Sequence, residues 1–235
     1  MKKIAITALF ALSFLLPAHA QVRFGVTLDP QVSWFGSDRK KAEGDGSIPG
    51  IAFGLNIERY FADRYAVYSG VFIESTGGYL KYNLNPENLS SYTPYSLATK
   101  DQKYKITDGE SMKYRIQYLT APIGIKLKTN PIGYNTFYAN LGFKTSVLLK
   151  SKGFSGSGHN ATIGGQSALD GETLDGEINF LNLGYQIGIG TEYSLGGNVA
   201  LILGVTYNNG LTNTVNDSSL HINLNNVSFK VGVMF

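Results

Sequence analysis

The chain has 235 residues, of which 43% are hydrophobic and 16% charged, so it carries enough apolar material for one sizeable folded unit and is not a disordered polymer. Twenty Lys and Arg stand against 17 Asp and Glu, and loss of Lys2 and Lys3 with a leader leaves 18 against 17, without the basic excess of a nucleic-acid binder. The absence of Cys excludes disulfides, thiolate nucleophiles and Cys-ligated metals, and beyond the first twenty residues no apolar run approaches the ~20 residues of a membrane helix.

The first twenty residues read as an address. Met1-Lys2-Lys3 is a positive start, Ile4 to Leu16 is almost wholly apolar, and Ala18-His19-Ala20 has the small-x-small ending that signal peptidase cuts. This predicts a cleaved Sec signal peptide over 1–20 and a mature chain over 21–235. The apolar run is too short for a spanning anchor, and Gln21 in place of Cys at the cut excludes a lipoprotein.

From Gln21 onward the apolar residues alternate with polar or small ones, the period of a strand with two unlike faces. Val22, Phe24, Val26, Leu28, Val32 and Trp34 oppose Arg23, Gly25, Thr27, Asp29, Gln31 and Ser33. The pattern recurs through Ile51 to Ile57, Val67 to Ile73, Leu119 to Leu127, Phe137 to Leu149, Leu181 to Ile189, Val199 to Tyr207 and Val227 to Phe235. Eight strands are therefore expected, at 22–35, 50–60, 65–82, 114–128, 136–154, 177–193, 199–211 and 222–235. The intervening segments alternate long and short: 36–49, 61–64, 83–113, 129–135, 155–176, 194–198 and 212–221. An up-and-down meander with turns at one end and loops at the other has that spacing, and outer-membrane barrels keep the short turns in the periplasm. Asp63-Arg64, Pro131 with Gly133, and Gly196-Gly197-Asn198 supply turn-forming residues at the short end.

The wet face decides between a secreted lipocalin-like barrel and a membrane barrel. The polar parity is rich in Gly (Gly54, Gly70, Gly142, Gly188, Gly190, Gly232), while the other parity is branched and aromatic. Eight strands enclose only enough room for side chains, so compact and polar groups are expected inside and bulk outside, facing lipid. Arg23, Lys126, Lys144 and Lys230 share the inner parity with Asp29, Glu58, Glu74 and Glu192, a balanced set able to pair within the barrel. Phe24, Trp34, Phe35, Tyr60, Phe61, Tyr65, Tyr114, Tyr118, Phe137, Tyr193 and Tyr207 lie near strand ends and fit two interfacial girdles, although aromatics also favour strands in general.

Tyr118-Leu119-Thr120-Ala121-Pro122-Ile123-Gly124-Ile125-Lys126 resembles the Tyr-Leu-x-x-Pro-x-x-x-Lys strand of the PorT-type outer-membrane β-barrel family of Bacteroidota. Tyr60-Phe61-Ala62-Asp63-Arg64, leading to Ser69-Gly70-Val71, resembles that family's first turn and third strand. Val227 to Phe235 resembles the C-terminal signal read by the outer-membrane assembly machinery. The resemblance implies a barrel fold and a link to type IX secretion of surface proteases; the long second loop, 83–113, departs from the family pattern.

Little conventional chemistry is present. His19 leaves with the leader, and His159 and His221 fall in expected outer loops. Asp217, Ser219 and His221 are the one place where the raw material of a hydrolytic triad gathers, in a polar loop where such neighbours are common. Asp170, Glu172, Asp175 and Glu177 crowd two Leu-Asp-Gly-Glu repeats, yet their spacing is not that of a calcium loop, and a solvated loop is the better reading. Gly153 to Gly165 lacks a phosphate-loop ending. In 83–113, Tyr92, Tyr95 and Tyr104 lie among Lys100, Lys103, Lys105, Glu87, Asp101, Asp108 and Glu110, a candidate partner surface or an ordinary long loop.

These readings predict an all-β, eight-stranded antiparallel up-and-down transmembrane β-barrel in the cell outer membrane, with no catalytic, cofactor-binding or metal-binding residue and no cofactor. Expected partners are outer-membrane lipids, the assembly machinery at the last strand and a protein at the outer loops, not nucleic acid. The leading class is non-enzymatic interaction or scaffolding, in envelope integrity, adhesion or type IX secretion support. A small-solute porin and a lipid A-modifying barrel enzyme are the alternatives.

Overall fold

The computed structural model describes residues 21–37, 42–82, 96–99, 103–105, 111–155, 170–217 and 220–235. The leader expected at 1–20, His159, Ser219, Tyr92 and Tyr95 lie outside them. The strands are β1 (Val22–Ser37), β2 (Ala42–Ala62), β3 (Tyr65–Tyr82), β4 (Ser96–Ala98), β5 (Lys103–Lys105), β6 (Ser111–Lys128), β7 (Asn135–Ser155), β8 (Asp170–Thr173), β9 (Leu181–Gly196), β10 (Val199–Gly210) and β11 (Ile222–Met234).

Eight of these pair antiparallel around a ring, in the order β6-β3-β2-β1-β11-β10-β9-β7, and β7 returns to β6. The first and last strands close it: Gly25 stands opposite Met234, and the Phe24 and Phe235 backbones exchange hydrogen bonds of 3.3 and 2.7 Å. A ring of this kind has no edge, so its backbone donors and acceptors are satisfied without water. β8 extends the β7 side, while β4 and β5 form a separate hairpin.

Tight connections at 63–64, 129–134 and 197–198 lie at the same end as both strand termini. Gly133 (φ +62°) and Gly197 (φ +59°) occupy the left-handed region there, which side-chain-bearing residues rarely enter.

Side-chain alternation follows the expected sense. Along β1, Val22, Phe24, Val26, Leu28 and Val32 are exposed on the outer wall, while Arg23, Thr27, Asp29, Gln31 and Ser33 are buried inside. The outer wall of the other strands is likewise branched or aromatic: Leu55 and Ile57 on β2, Ile123 and Ile125 on β6, Leu141 and Phe143 on β7, Ile187 and Ile189 on β9. A continuous apolar surface of this extent suits acyl chains and not water.

Several expectations need correction. The loop placed at 36–49 is mostly strand, because β2 begins at Ala42; residues 43–47 are all exposed and small or acidic, so alternation is silent there, yet Trp34 pairs with Ser47 and Ala42 with Tyr82. β9 begins at Leu181 and not at 177. Phe35, Tyr114 and Tyr118 are no girdle residues: each is at most 3% exposed and points inward, and Tyr60 turns toward the ionic groups of the lumen. The outer aromatics that remain at the turn end are Phe24, Phe61, Tyr65, Phe137 and Tyr193, joined by Tyr134 and Phe235, while Trp34 stacks on Tyr207 toward the opposite end at 6.4 Å.

Nor is the interior uniformly compact. Tyr68, Phe72 and Tyr138 are buried inside and lie over glycines: Tyr68 over Gly124 and Gly142, Phe72 over Gly54 of β2 and Gly70 of its own strand, Tyr138 over Gly190 and Gly204. A Cβ at Gly142 would meet the Tyr68 hydroxyl at 2.5 Å, so the glycines make room for rings and not merely for a narrow lumen.

Ile123→Arg, at the middle of the β6 outer wall, is expected to cost about 2–4 kcal/mol of folding free energy in lipid vesicles, against ~0–1 kcal/mol for Leu127→Arg near the turn-end interface. Urea unfolding followed by the fluorescence of the single Trp checks it; equal losses at the two depths would contradict a membrane-facing wall.

Candidate functional site

The lumen is built in three layers. Nearest the turns lies an ionic layer, supplied by inward positions of β1, β2, β6 and β9 and organised around Glu192. Its carboxylate accepts from Arg23 Nη1 (2.7 Å), Lys126 Nζ (2.6 Å) and Lys128 Nζ (2.6 Å), and Lys126 also reaches Glu58 Oε1 at 2.5 Å. Tyr60 donates to Glu58 Oε2 (2.8 Å) and accepts from Lys128 (2.8 Å). The Lys126 ammonium lies 4.2 Å from the Tyr138 ring centroid. Lys128 belongs to this network although the charge balance read from sequence left it out; its parity with Lys126 was the available signal.

The middle layer separates two further pairs. Glu74, 4% exposed, accepts from Lys144 (3.1 Å to each oxygen), Thr120 Oγ1 (3.1 Å) and Asn226 Nδ2 (3.0 Å). Lys230 donates to Asn56 Oδ1 (3.3 Å), faces Asp29 Oδ2 at 3.7 Å and lies 5.4 Å from the Phe72 ring centroid. Between them is a polar cavity of about 50 Å³ lined by residues including Asp29, Gln31, Glu74, Gln186, Asn208 and Lys230, with a second of about 10 Å³ beside Tyr118 and Asn182. The first volume suits a few waters and is far below that of a solute passage. A wider recess of about 380 Å³ opens at the turn end beside Arg23, Tyr60, Lys128 and Glu192. The four inward cations and four inward acids expected from the sequence are thus all engaged, and with Lys128 the cations exceed the carboxylates by one. Charges held away from water persist only when paired this closely.

At the loop end the lumen becomes apolar. Phe35, Leu80, Tyr82, Met112, Tyr114, Ile116, Ile222 and Leu224 from the strands pack with Leu174, Ile178, Val215 and Leu220 from the connections before β9 and β11. Phe35 meets Tyr114 edge-on at 6.0 Å, and the Tyr82 and Tyr114 hydroxyls share a 2.5 Å hydrogen bond. Asparagines stitch the connections together: Asn179 Nδ2 donates to the carbonyls of Asn213 (2.8 Å) and Val215 (3.2 Å), Asn216 Nδ2 to Gly176 O (2.8 Å), and Asn213 Nδ2 to Leu220 O (2.7 Å). Glu177 Oε1 accepts from the Ala98 backbone N–H at 2.7 Å, which ties β4 to the same cap. Sequence reasoning missed this core; isolated Leu174, Ile178, Val215 and Leu220 in polar surroundings were its trace.

Of the weighed candidates, His221 is half-buried at the foot of β11, and the Leu220 N–H donates to Asp217 O at 3.2 Å. With Ser219 outside the described residues, no triad geometry can be read. Among the described residues no three His, Asp or Glu side chains converge as a metal site, and Glu177 serves the cap instead. Tyr118, Pro122 and Lys126 fall on one inner stripe of β6: Tyr118 in the apolar layer, Pro122 at the cavity wall and Lys126 in the ionic layer.

A family model described as the outer membrane protein beta-barrel domain matches residues 13–216. Among solved structures, Neisserial surface protein A is 15% identical, with 90% of this chain and 95% of that chain covered and a TM-score of 0.45. The attachment invasion locus protein Ail of Yersinia pestis is 13% identical over 92% and 99% of the two chains, TM-score 0.40. The outer membrane protein OprG of Pseudomonas aeruginosa is 11% identical over 92% and 96%, TM-score 0.43. No curated protein sequence matches the chain significantly.

Replacing Glu192 by Gln leaves three cations competing for a neutral amide, and a buried pair broken on one side costs about 3–5 kcal/mol. We expect Glu192→Gln to lower the urea midpoint of the refolded protein accordingly, with little effect from Glu43→Gln on the exposed rim. A loss at Glu192 no larger than that at Glu43 would contradict the hub role.

Proposed function

Because this chain belongs to the outer membrane protein beta-barrel domain family and resides in the cell outer membrane, we propose that it acts as a non-enzymatic, non-conducting barrel whose work is done at its loop end. The observation that carries the reading is the filling of the lumen: an ionic layer, a polar layer with small cavities and an apolar cap stacked along one axis. A barrel filled in this way is a rigid stand for the segments above it. Stability there is useful to a scaffold, since a partner surface binds more tightly when it is ordered beforehand. The cap favours interaction over catalysis, because its polar side chains are spent on joining the connections to one another.

The sense of insertion follows from loop lengths, with the turns and both termini of the mature chain in the periplasm and the cap outside. Residues 1–20 then serve as the Sec leader, and β11 is the segment offered to the assembly machinery, its Phe235 at the closing seam with Phe24. The PorT-type reading finds support in the inner stripe Tyr118, Pro122 and Lys126, since residues that share the lumen explain why that spacing is kept on one strand. A role in envelope integrity, adhesion or type IX secretion support is the finer form of the proposal.

Planar-bilayer recording of the refolded chain is expected to give no sustained unit conductance; steady openings would overturn the closed lumen and favour a small-solute pore. In intact cells, crosslinking is expected to capture a partner that a variant lacking residues 85–111 loses. Retention of the same product by that variant would move the interaction elsewhere.

A further inference from the structure

On the outer wall, immediately beyond the apolar belt toward the loop end, β6 and β7 carry a basic band. The outward residues of β6 run Leu127, Ile125, Ile123, Ala121, Leu119 and then Gln117, Arg115 and Lys113. A register shift at Gln117/Tyr118 brings Lys150 opposite Gln117, Lys152 opposite Arg115 and Phe154 opposite Lys113, so these β7 residues face outward as well. On the other side of β6, Tyr79 of β3 stands opposite Lys113, and Lys81 is one outward step beyond. Lys113 Nζ sits 5.9 Å from the Tyr79 ring centroid and 5.6 Å from that of Phe154.

The band is unlike an ordinary solvated rim in three respects. Arg115 and Lys152 are direct cross-strand partners, an arrangement that costs stability unless an anion lies between them. Among the described residues no carboxylate is within ion-pair distance of Lys81, Arg115, Lys150 or Lys152; the acidic neighbours in register are Glu43, opposite Lys81, Glu172, opposite the inward Gly153, and Asp170, opposite Phe154. Among the described residues the outward positions of β1, β10 and β11 at the same level, Trp34, Asn209 and Asn223, also carry no charge.

Height and direction select the ligand. Lys150 adjoins the lipid-facing Leu149, and Arg115 is two outward positions above Leu119, about 14 Å along the strand at ~3.4 Å per residue, or roughly 10 Å above the belt at a tilt near 40°. That backbone height is at the outer edge of the headgroup layer, and long basic side chains reach down into it while their stems cover apolar surface. The groups project sideways from the wall into the surrounding lipid, not upward toward a soluble partner. We propose that Lys113, Arg115, Lys150 and Lys152 bind a phosphate of an outer-leaflet glycolipid of the lipid A type, whose acyl chains lie along Leu119, Phe143 and Leu149. Arg115 supplies a planar fork for phosphate oxygens, and the lysines act as point charges around it. This rests on the proposed insertion with the loop end outside, but not on the closed lumen or on a loop partner.

The test uses the full mature chain refolded in an uncharged detergent and titrated with phosphorylated lipid A, with bound lipid counted by native mass spectrometry. One retained lipid per chain is expected. Dephosphorylated lipid A, or the variant Arg115→Gln/Lys150→Gln/Lys152→Gln, should bind about 100-fold more weakly, at roughly one interfacial cation per factor of five. Arg59→Gln/Arg64→Gln at the turn end should bind as the parent does, and a retained folded-form mobility on unheated gels excludes misfolding of each variant. Equal affinity for dephosphorylated lipid A, equal binding by the triple variant, or displacement by millimolar inorganic phosphate would each overturn the proposal. Neither conductance nor loop crosslinking bears on these readouts, so this inference and the proposed scaffold role fail separately.

Discussion

A peptide group in hydrocarbon has no water to bond, so every backbone donor and acceptor of this chain must find a partner within its own sheet. The pairing of β1 with β11 meets that demand by turning a meander into a ring. Once the ring is closed, its two faces have fixed and opposite solvents, and the inversion of the usual rule follows: Leu28 and Ile123 face out, Asp29 and Thr120 face in. The rest of the molecule is a consequence of what can be enclosed by eight strands.

Those strands leave a lumen only as wide as a few side chains, and the chain fills it with a different chemistry at each depth. Near the turns, water is close and charges are tolerated as a shared network around Glu192. In the middle, single carboxylates such as Glu74 survive because every lone pair direction is met by a donor. At the loop end, where strands rise beyond the lipid belt, the inside is an ordinary hydrophobic core and the cap packs onto it as a globular protein would. Rings set over glycines tie these layers to the wall, so that Tyr68 and Tyr138 brace strands they do not belong to.

Much of this was legible in the sequence. Period-two alternation gives the strand count, the turn positions and the outward face, because lipid and lumen impose opposite demands on consecutive residues. Where that contrast vanishes, the signal vanishes with it. Residues 43–47 of β2 stand above the lipid with both faces wet, and nothing in their order marks them as strand. Phe35, Tyr114 and Tyr118 look like girdle residues because an aromatic near a strand end is equally suited to the interface or to the capped lumen, and only the tertiary packing with Leu174 and Ile222 decides. The inner charges were recognisable by parity, yet which acid serves which base depends on which strands face one another across the closed ring: Arg23 of β1 meets Glu192 of β9 across the lumen, with β11 and β10 between them in the wall. The basic band was hidden for a further reason, since a register shift in β7 reverses the parity on which its outward face depends.

The absence of native cysteine permits the most direct test of the inside-out assignment. Single spin labels at Leu141→Cys and Ile123→Cys, compared with Asn140→Cys and Thr120→Cys, can be read in lipid vesicles by their accessibility to oxygen dissolved in the bilayer and to a water-soluble nickel chelate. The account predicts oxygen-dominated relaxation at 123 and 141 and little access for either reagent at 120 and 140. Oxygen-dominated relaxation at 120 and 140, with chelate access at 123 and 141, would contradict it.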